Sequence, residues 1–238
     1  MSDISATLIP LNHKIYQHYK SISRAYSVGG QEFCFDEKTL PVIKSFQNFQ
    51  VREDDVFVLS FPKTGTVPYC TTWMQEIVYL LLNDVDFKKA NATIRDDVIP
   101  YGDFDMASLE FANNLPSPRL IKLHLHLLSF LPAAMLTTKC KDQGKVIEEM
   151  AEFLNKSVSK NEIKMIADHC KFDNMKQNPA ANRTGFQQEQ AINNDFVFMR
   201  KGIVGNWKTE MSLELVTKID KWIIENTADC PDLREIFF

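Results

Sequence analysis

At 238 residues, with 45% hydrophobic and 24% charged side chains, the chain has the size and composition of one soluble globular domain. Its formal net charge is -4 and its basic residues are spread out, so nucleic-acid binding finds no support, and no apolar run is long enough to cross a membrane. Cys34, Cys70, Cys140, Cys170 and Cys230 are far apart, odd in number and without a Cys-x-x-Cys pair, which favours reduced thiols in a cytoplasmic setting over a disulfide framework.

Residues 1–10 show neither the charged nor the apolar region of a secretory signal. The first fifty residues are mixed and aromatic, with a turn at Gly29-Gly30. Residues 39–49 read as a helix with Val42, Ile43 and Phe46 inward. Tyr26, Phe33 and Phe35 are either core aromatics or the lining of a pocket. Residues 56–61 mix β-branched and aromatic side chains and stop at Pro62, the pattern of a buried strand. A compact turn over residues 62–66 follows, and then a helix whose apolar positions Trp73, Ile77, Leu80 and Leu81 recur at helical spacing. Strand, glycine-bearing turn with a lysine and hydroxyls, then helix is an arrangement that holds an anion, because backbone N–H groups converge, the helix N-terminus is partly positive and Lys63 adds a full charge. Neither GxxxxGKS/T nor GxGxxG occurs.

Residues 83–118 read as polar and loop-like, broken by Pro100-Tyr101-Gly102 and Pro116-Ser117-Pro118. Residues 119–130, RLIKLHLHLLSF, alternate strictly, so a strand there sets Lys122, His124 and His126 on one side and Leu123, Leu125 and Leu127 on the other. A helix is predicted over 143–154 from Val146, Ile147, Met150 and Phe153. Ser159 with Glu162 forms a capping box for another that carries Ile163 and Ile166. Residues 170–183 read as irregular around Pro179, and 196–208 as an apolar piece entering a glycine-bearing basic loop. From Ser212 onward, Leu215, Ile219, Trp222 and Ile223 make a last amphipathic helix.

His124 is the natural general base, since histidine titrates near neutral pH, while Lys63 and Lys122 suit the stabilisation of negative charge. Two other readings of this strand stay open. His124 and His126 could ligate a metal with His169 or Cys170, or the strand is simply half-buried with its polar groups facing solvent.

Several of these stretches together resemble the cytosolic sulfotransferases. SFPKTGT followed by TTWMQEI is similar to the family's sulfonate-donor loop, which assigns Lys63, Thr64, Gly65, Thr66, Thr72 and the stacking tryptophan Trp73 to the donor. PRLIKLHLHLL is similar to PRLIKTHLPLxLLP, so Lys122 and His124 fall on the family's active-site lysine and catalytic histidine. RKGIVGNWK looks like RKGxxGDWK, in which the residues corresponding to Arg200, Lys201 and Gly202 hold a 3'-phosphate. In CKFDNMKQNP, Phe172 and Met175 match positions that flank an adenine.

The resemblance implies one α/β domain over residues 1–238, a P-loop-like parallel sheet flanked by helices. It implies 3'-phosphoadenylyl sulfate (PAPS) as donor co-substrate, no metal, and a small apolar acceptor of the phenol, alcohol, steroid or amine type. Neither nucleic acid nor membrane is an implied partner.

The chain departs from the family in two places. Val67-Pro68-Tyr69-Cys70-Thr71 stands between the turn and Thr72-Trp73, where the family runs on directly. Either Thr72 with Gln75 caps a helix that starts away from Lys63 and Gly65, or Pro68 lies in the first turn of a lengthened helix. Farther on, the family pattern YxxRNPKDxxxSxxHF is absent, Lys141 being joined straight to Asp142, so the fold is expected to lack a central segment and an Arg and a Ser that bind the 3'-phosphate. Cys170 replaces a Thr, Asn206 an Asp, and Ser212-Leu213 the Thr-Val of the family's dimer motif, which leaves a homodimer without that contact. Sulfonate transfer is the leading function, and a catalytically inactive relic with a binding role is the alternative.

Overall fold

The computed structural model describes residues 6–12, 16, 24–28, 31–37, 39–46, 48–59, 71–102, 105–124, 142–183, 198–199, 202, 207–226 and 228. Three short strands come first, β1 (Ala6–Leu8), β2 (Ala25–Val28) and β3 (Gln31–Asp36), forming an antiparallel sheet in the order β1-β2-β3. Val28 pairs with Gln31, whereas no strands were read from the sequence there; the turn expected at Gly29-Gly30 lies outside the described residues. Helix α1 (Thr39–Phe46) buries Val42, Ile43 and Phe46 as its spacing predicts.

Strand β4 (Val56–Leu59) pairs in parallel with β5 (Leu120–Leu123), in the register Val56↔Leu120, Val58↔Lys122 and Leu59↔Leu123. All four residues of β5 are buried, so Lys122 does not face solvent as the half-buried reading of this strand had it, whereas His124 is half-buried. The cause is that helices cover both faces, the usual condition of a parallel pair. Ile121 and Leu123 pack with α1 and with α4 (Met106–Asn114), through Val42, Phe46, Leu109 and Ala112. Leu120 and Val58 belong to a larger cluster on the opposite side, built from α2 (Thr71–Leu82), α5 (Gln143–Phe153) and α6 (Lys160–His169). The described strand ends at Leu123, and His126 lies outside the described residues.

Helix α2 carries Trp73, Ile77, Leu80 and Leu81 into the core at 1%, 0%, 0% and 2% exposure. Its first residue is Thr71, so Thr72 is a helical residue rather than the cap before the helix. The lengthened-helix alternative concerns Pro68, outside the described residues.

Residues 83–118 are not a loop. They hold α3 (Phe87–Ala92), a 3-10 turn (Arg95–Asp97) and α4. Aspartates start both helices: Asp86 accepts from the Lys89 N–H at 2.9 Å and Asp105 from the Ser108 N–H at 2.8 Å. A short helix α7 (Phe172–Gln177) likewise occupies part of the stretch read as irregular. The Ser159–Glu162 capping box opens α6 as predicted, with Ile163 and Ile166 buried. Phe153, expected inward on α5, is 43% exposed, because it is the last residue of that helix and lies past the buried Met150 turn. After α8 (Trp207–Glu210) comes α9 (Leu213–Asn226), whose Leu215, Ile219 and Trp222 are exposed. No helix among the described residues is long and apolar enough to cross a membrane.

Candidate active site

Because β4 and β5 are parallel, their C-terminal ends lie side by side at Leu59 and Leu123. Ligands of open α/β sheets sit beyond such ends. Lys122 is next to last in β5 and only 3% exposed; His124 follows the strand and is half-buried. Both meet Tyr101. The Lys122 ammonium stands 4.5 Å from the centroid of the Tyr101 ring, and the His124 ring meets it edge-on at 5.0 Å and 83°. A buried cation over an aromatic face gains attraction that water would otherwise dilute.

Tyr101 is held there by backbone pairing with β5. The Lys122 N–H donates to the Pro100 carbonyl and the Gly102 N–H to the Lys122 carbonyl, each at 3.0 Å. Gly102 permits this approach, since a Cβ on it would lie 3.0 Å from Leu123 Cδ2 and 3.1 Å from Ile121 Cγ2. Sequence reasoning named Pro100-Tyr101-Gly102 only as a breaker.

A second group of residues gathers around α7. Trp73 and Met175 are core members of the larger cluster, 1% and 2% exposed, with Phe172 partly buried against it. At these exposures the indole has no open face, so a base stacks on it only when neighbouring chain moves aside. Gly202 has a φ of +65°, and a Cβ on it would lie 2.3 Å from Phe172 Cγ. The Gly202 backbone thus rests directly on the phenyl ring, which brings together two positions that the resemblance assigns to one nucleotide. Gly202→Ala is expected to lose stability by at least about 1–2 kcal/mol from the left-handed backbone alone, with Phe172 forced out of place as well, read as a lower urea midpoint. Thr72 is 8% exposed. Lys63, Thr64, Gly65, Thr66, Arg200 and Lys201 lie outside the described residues.

A buried ionic group near these residues was not foreseen. Glu76 on α2, fully buried, accepts from Arg95 Nε at 2.7 Å and Nη2 at 2.8 Å, and from His169 Nε2 at 2.7 Å. The Arg95 guanidinium also lies 3.8 Å over the Tyr79 ring and donates to the Ala90 carbonyl at 2.8 Å. Burial pushes the Glu76 carboxyl up, but the hydrogen bonds from His169 and Arg95, with their charges, together outweigh it and hold the group below the ordinary glutamate range. A depressed carboxyl stabilises the fold above the ordinary glutamate range, and that contribution is lost as pH falls through the lowered value. Wild-type protein should therefore lose stability in this acid window by an amount that Glu76→Gln does not show; equal pH slopes for the two in urea titrations would refute the assignment.

His169 and Cys170, considered above as metal ligands, are otherwise engaged or inert. His169 is taken by Glu76, and burial pushes the Cys170 thiol well up from its ordinary range. Among the described residues no three His, Cys, Asp or Glu side chains stand together as a metal cluster.

The sulfotransferase domain profile matches residues 53–142 and 141–231. Sulfotransferase 1 family member D1 of Mus musculus is 22% identical over 261 residues, covering 77% of this chain and 86% of the relative. Amine sulfotransferase of Oryctolagus cuniculus is 24% identical over 276 residues, covering 83% of this chain and 90% of the relative. Among solved structures, retinol dehydratase in a complex with retinol and PAP matches with a TM-score of 0.71 at 19% identity, over 95% of this chain and 97% of that one. That likeness identifies the architecture of β4, β5 and their covering helices as the α/β sulfotransferase fold. With the domain profile accounting for most of its length, the chain belongs to the sulfotransferase family.

Proposed function

We propose that this protein transfers a sulfonate group from PAPS to the hydroxyl or amine of a small apolar acceptor, of the phenol, alcohol, steroid or amine type. The observation that carries this reading is the pairing of buried Lys122 with His124 around Tyr101, at the C-terminal end of a parallel strand and on the family's lysine and histidine positions. The contact of Gly202 with Phe172 supports a nucleotide donor, because both positions belong to the family's donor motifs. PAP in the related retinol dehydratase structure points to the same donor type.

The donor, when bound, supplies a sulfonate activated by its bond to phosphate. The chain's own residues do the rest. His124 takes the acceptor proton, leaving oxygen or nitrogen free to attack. Lys122 and Lys63 offset negative charge at the reacting centre, a task that burial of Lys122 strengthens. Arg200, Lys201 and Gly202 hold the 3'-phosphate, while Thr64, Gly65, Thr66 and Thr72 surround the donor's other anionic end. Phe172 and Met175 flank the adenine, and Trp73 stacks on it once the chain that covers its ring moves aside. No metal is needed, since Lys and Arg supply the positive charge. The reading is of a single cytoplasmic domain, internally shortened after Lys141; the two segments of the family match meet at residues 141–142, which supports the shortening. A homodimer through the family's motif is not part of it.

That same junction favours a second reading, an inactive relic that still binds. Transfer of labelled sulfonate from PAPS to a panel of phenols, alcohols, steroids and amines separates the two, together with the shift in Tm on adding PAP. Turnover establishes the enzyme. A rise in Tm without turnover establishes the relic, because a ligand bound by the native state alone at 100 times its Kd stabilises by about 2.7 kcal/mol. Neither response overturns both.

A further inference from the structure

The Glu76, Arg95 and His169 group lies between the elements that carry the adenine residues, and its partners come from each side. Trp73 and Glu76 are three apart on α2, hence on one face. His169 closes α6, and Phe172 opens α7 three residues later, with Met175 one turn beyond. The 2.7 Å bond from His169 to Glu76 therefore spans from the helix bearing Trp73 to the helix pair bearing Phe172 and Met175.

Arg95 locks this bond from a third direction. Its guanidinium forks onto both oxygens of the Glu76 carboxylate, a planar match that fixes orientation as well as distance. Its segment is fastened in turn to the chain just after α7. The Arg95 N–H donates to the Ala180 carbonyl at 2.9 Å, Arg183 pairs with Asp96 at 2.6 Å, and Asn178 donates to Asn91 at 3.1 Å. Stretch 91–96 thus clasps α2 on one side and the α7 turn on the other. A buried ion pair is weak evidence of stabilisation, since well-packed apolar groups do as well in its place. Its geometry, by contrast, is specific.

We propose that Glu76 is a positioning residue for donor binding: through His169 and Arg95 it sets the separation and register of α2 against α6 and α7, and so of Trp73 against Phe172 and Met175. The proposal rests on the assignment of PAPS as donor. It locates the effect of the clasp in donor affinity, with the chemistry at His124 and Lys122 untouched, because Lys122 sits on β5, His124 follows that strand, and both contact Tyr101.

His169→Gln tests this in the full-length protein, since it keeps the Glu76–Arg95 pair and alters a side chain that is 13% exposed. Glu76→Asp, which keeps the charge and shortens the reach, is the second variant. Both should raise the PAP Kd, by calorimetry, and the KM for PAPS by about 10- to 100-fold, the scale of an ångström-sized misplacement. Acceptor KM and kcat at saturating donor should stay within about twofold of wild type. Val42→Ala, in the α1 and α4 cluster, serves as a control with its own loss of Tm and an unchanged PAP Kd. Unchanged PAP affinity in His169→Gln, or a loss matched by the control, overturns the proposal alone. Absence of PAP binding by wild-type protein overturns the donor assignment and the proposal with it.

Discussion

Arg119→Leu should cost about 3–5 kcal/mol of folding free energy, the scale for removing one partner of a buried ion pair. Arg119 and Asp55 have side-chain exposures of 1% and 0% and are joined by Nε to Oδ1 at 2.6 Å, with a second contact between Nη2 and Oδ2. The guanidinium also donates to the Gln50 carbonyl at 2.8 Å and the Ala112 carbonyl at 3.2 Å, and stands 4.8 Å over the Phe49 ring. Leucine leaves the Asp55 carboxylate with the Arg52 N–H at 2.8 Å, and strands the buried Ala112 carbonyl.

The location magnifies the effect. The Val56 N–H donates to the Arg119 carbonyl at 2.8 Å, so Arg119 and Asp55 tie the starts of β4 and β5, the pair that carries the site at its other end. Tm should fall by about 2–4 °C for each kcal/mol in a domain of this size. Asp55→Ala combined with Arg119→Leu should recover part of the loss, since no lone charge is then left buried. A single-variant loss under about 1 kcal/mol by urea unfolding would show that the pair is hydrated and contributes no more than an exposed one.

Elements whose cause is local were legible in the sequence. Val42, Ile43 and Phe46, the α2 stripe and the Ser159 capping box each rest on residues within a turn or two of one another. What was missed depends on distant partners or on weak local signals. α3 and α4 are short and polar, and their starts at Asp86 and Asp105 show only as single capping residues. The β1 to β3 sheet is set by pairing across segments, such as Ala6 with Val28. Alternation put Lys122 and His124 on one side of a strand, but the burial of Lys122 follows from helices on both faces of β5, which spacing within 119–130 does not encode. Glu76 meets Arg95 and His169 from 19 and 93 residues away. Tyr101 was hidden for a different reason. Pro100 and Gly102 mark a break in regular structure, and the same two residues are what lets the chain lie flat against β5.

His124→Ala should lower kcat by about 100- to 10,000-fold on alcohol acceptors, the usual share of a positioned general base. An alcohol holds its proton tightly, so attack depends on a group that removes it. A nitrophenol is far more acidic than an alcohol and is substantially ionised near neutral pH, so it depends much less on a base and the same variant should lose far less on that acceptor. The contrast between acceptors distinguishes loss of proton transfer from general damage, which would lower both rates alike. Damage of that kind is not expected, because His124 is half-buried and lies beyond the last residue of β5. PAP affinity should hold, since the residues assigned to the donor's nucleoside gather around Phe172, Met175 and Gly202. Lys122→Met should behave in the opposite sense. It removes charge at the reacting centre, so alcohol and nitrophenol rates should fall together. A His124→Ala protein that keeps alcohol turnover within about tenfold of wild type would remove the base from His124 and leave the Lys122 charge as the site's main contribution.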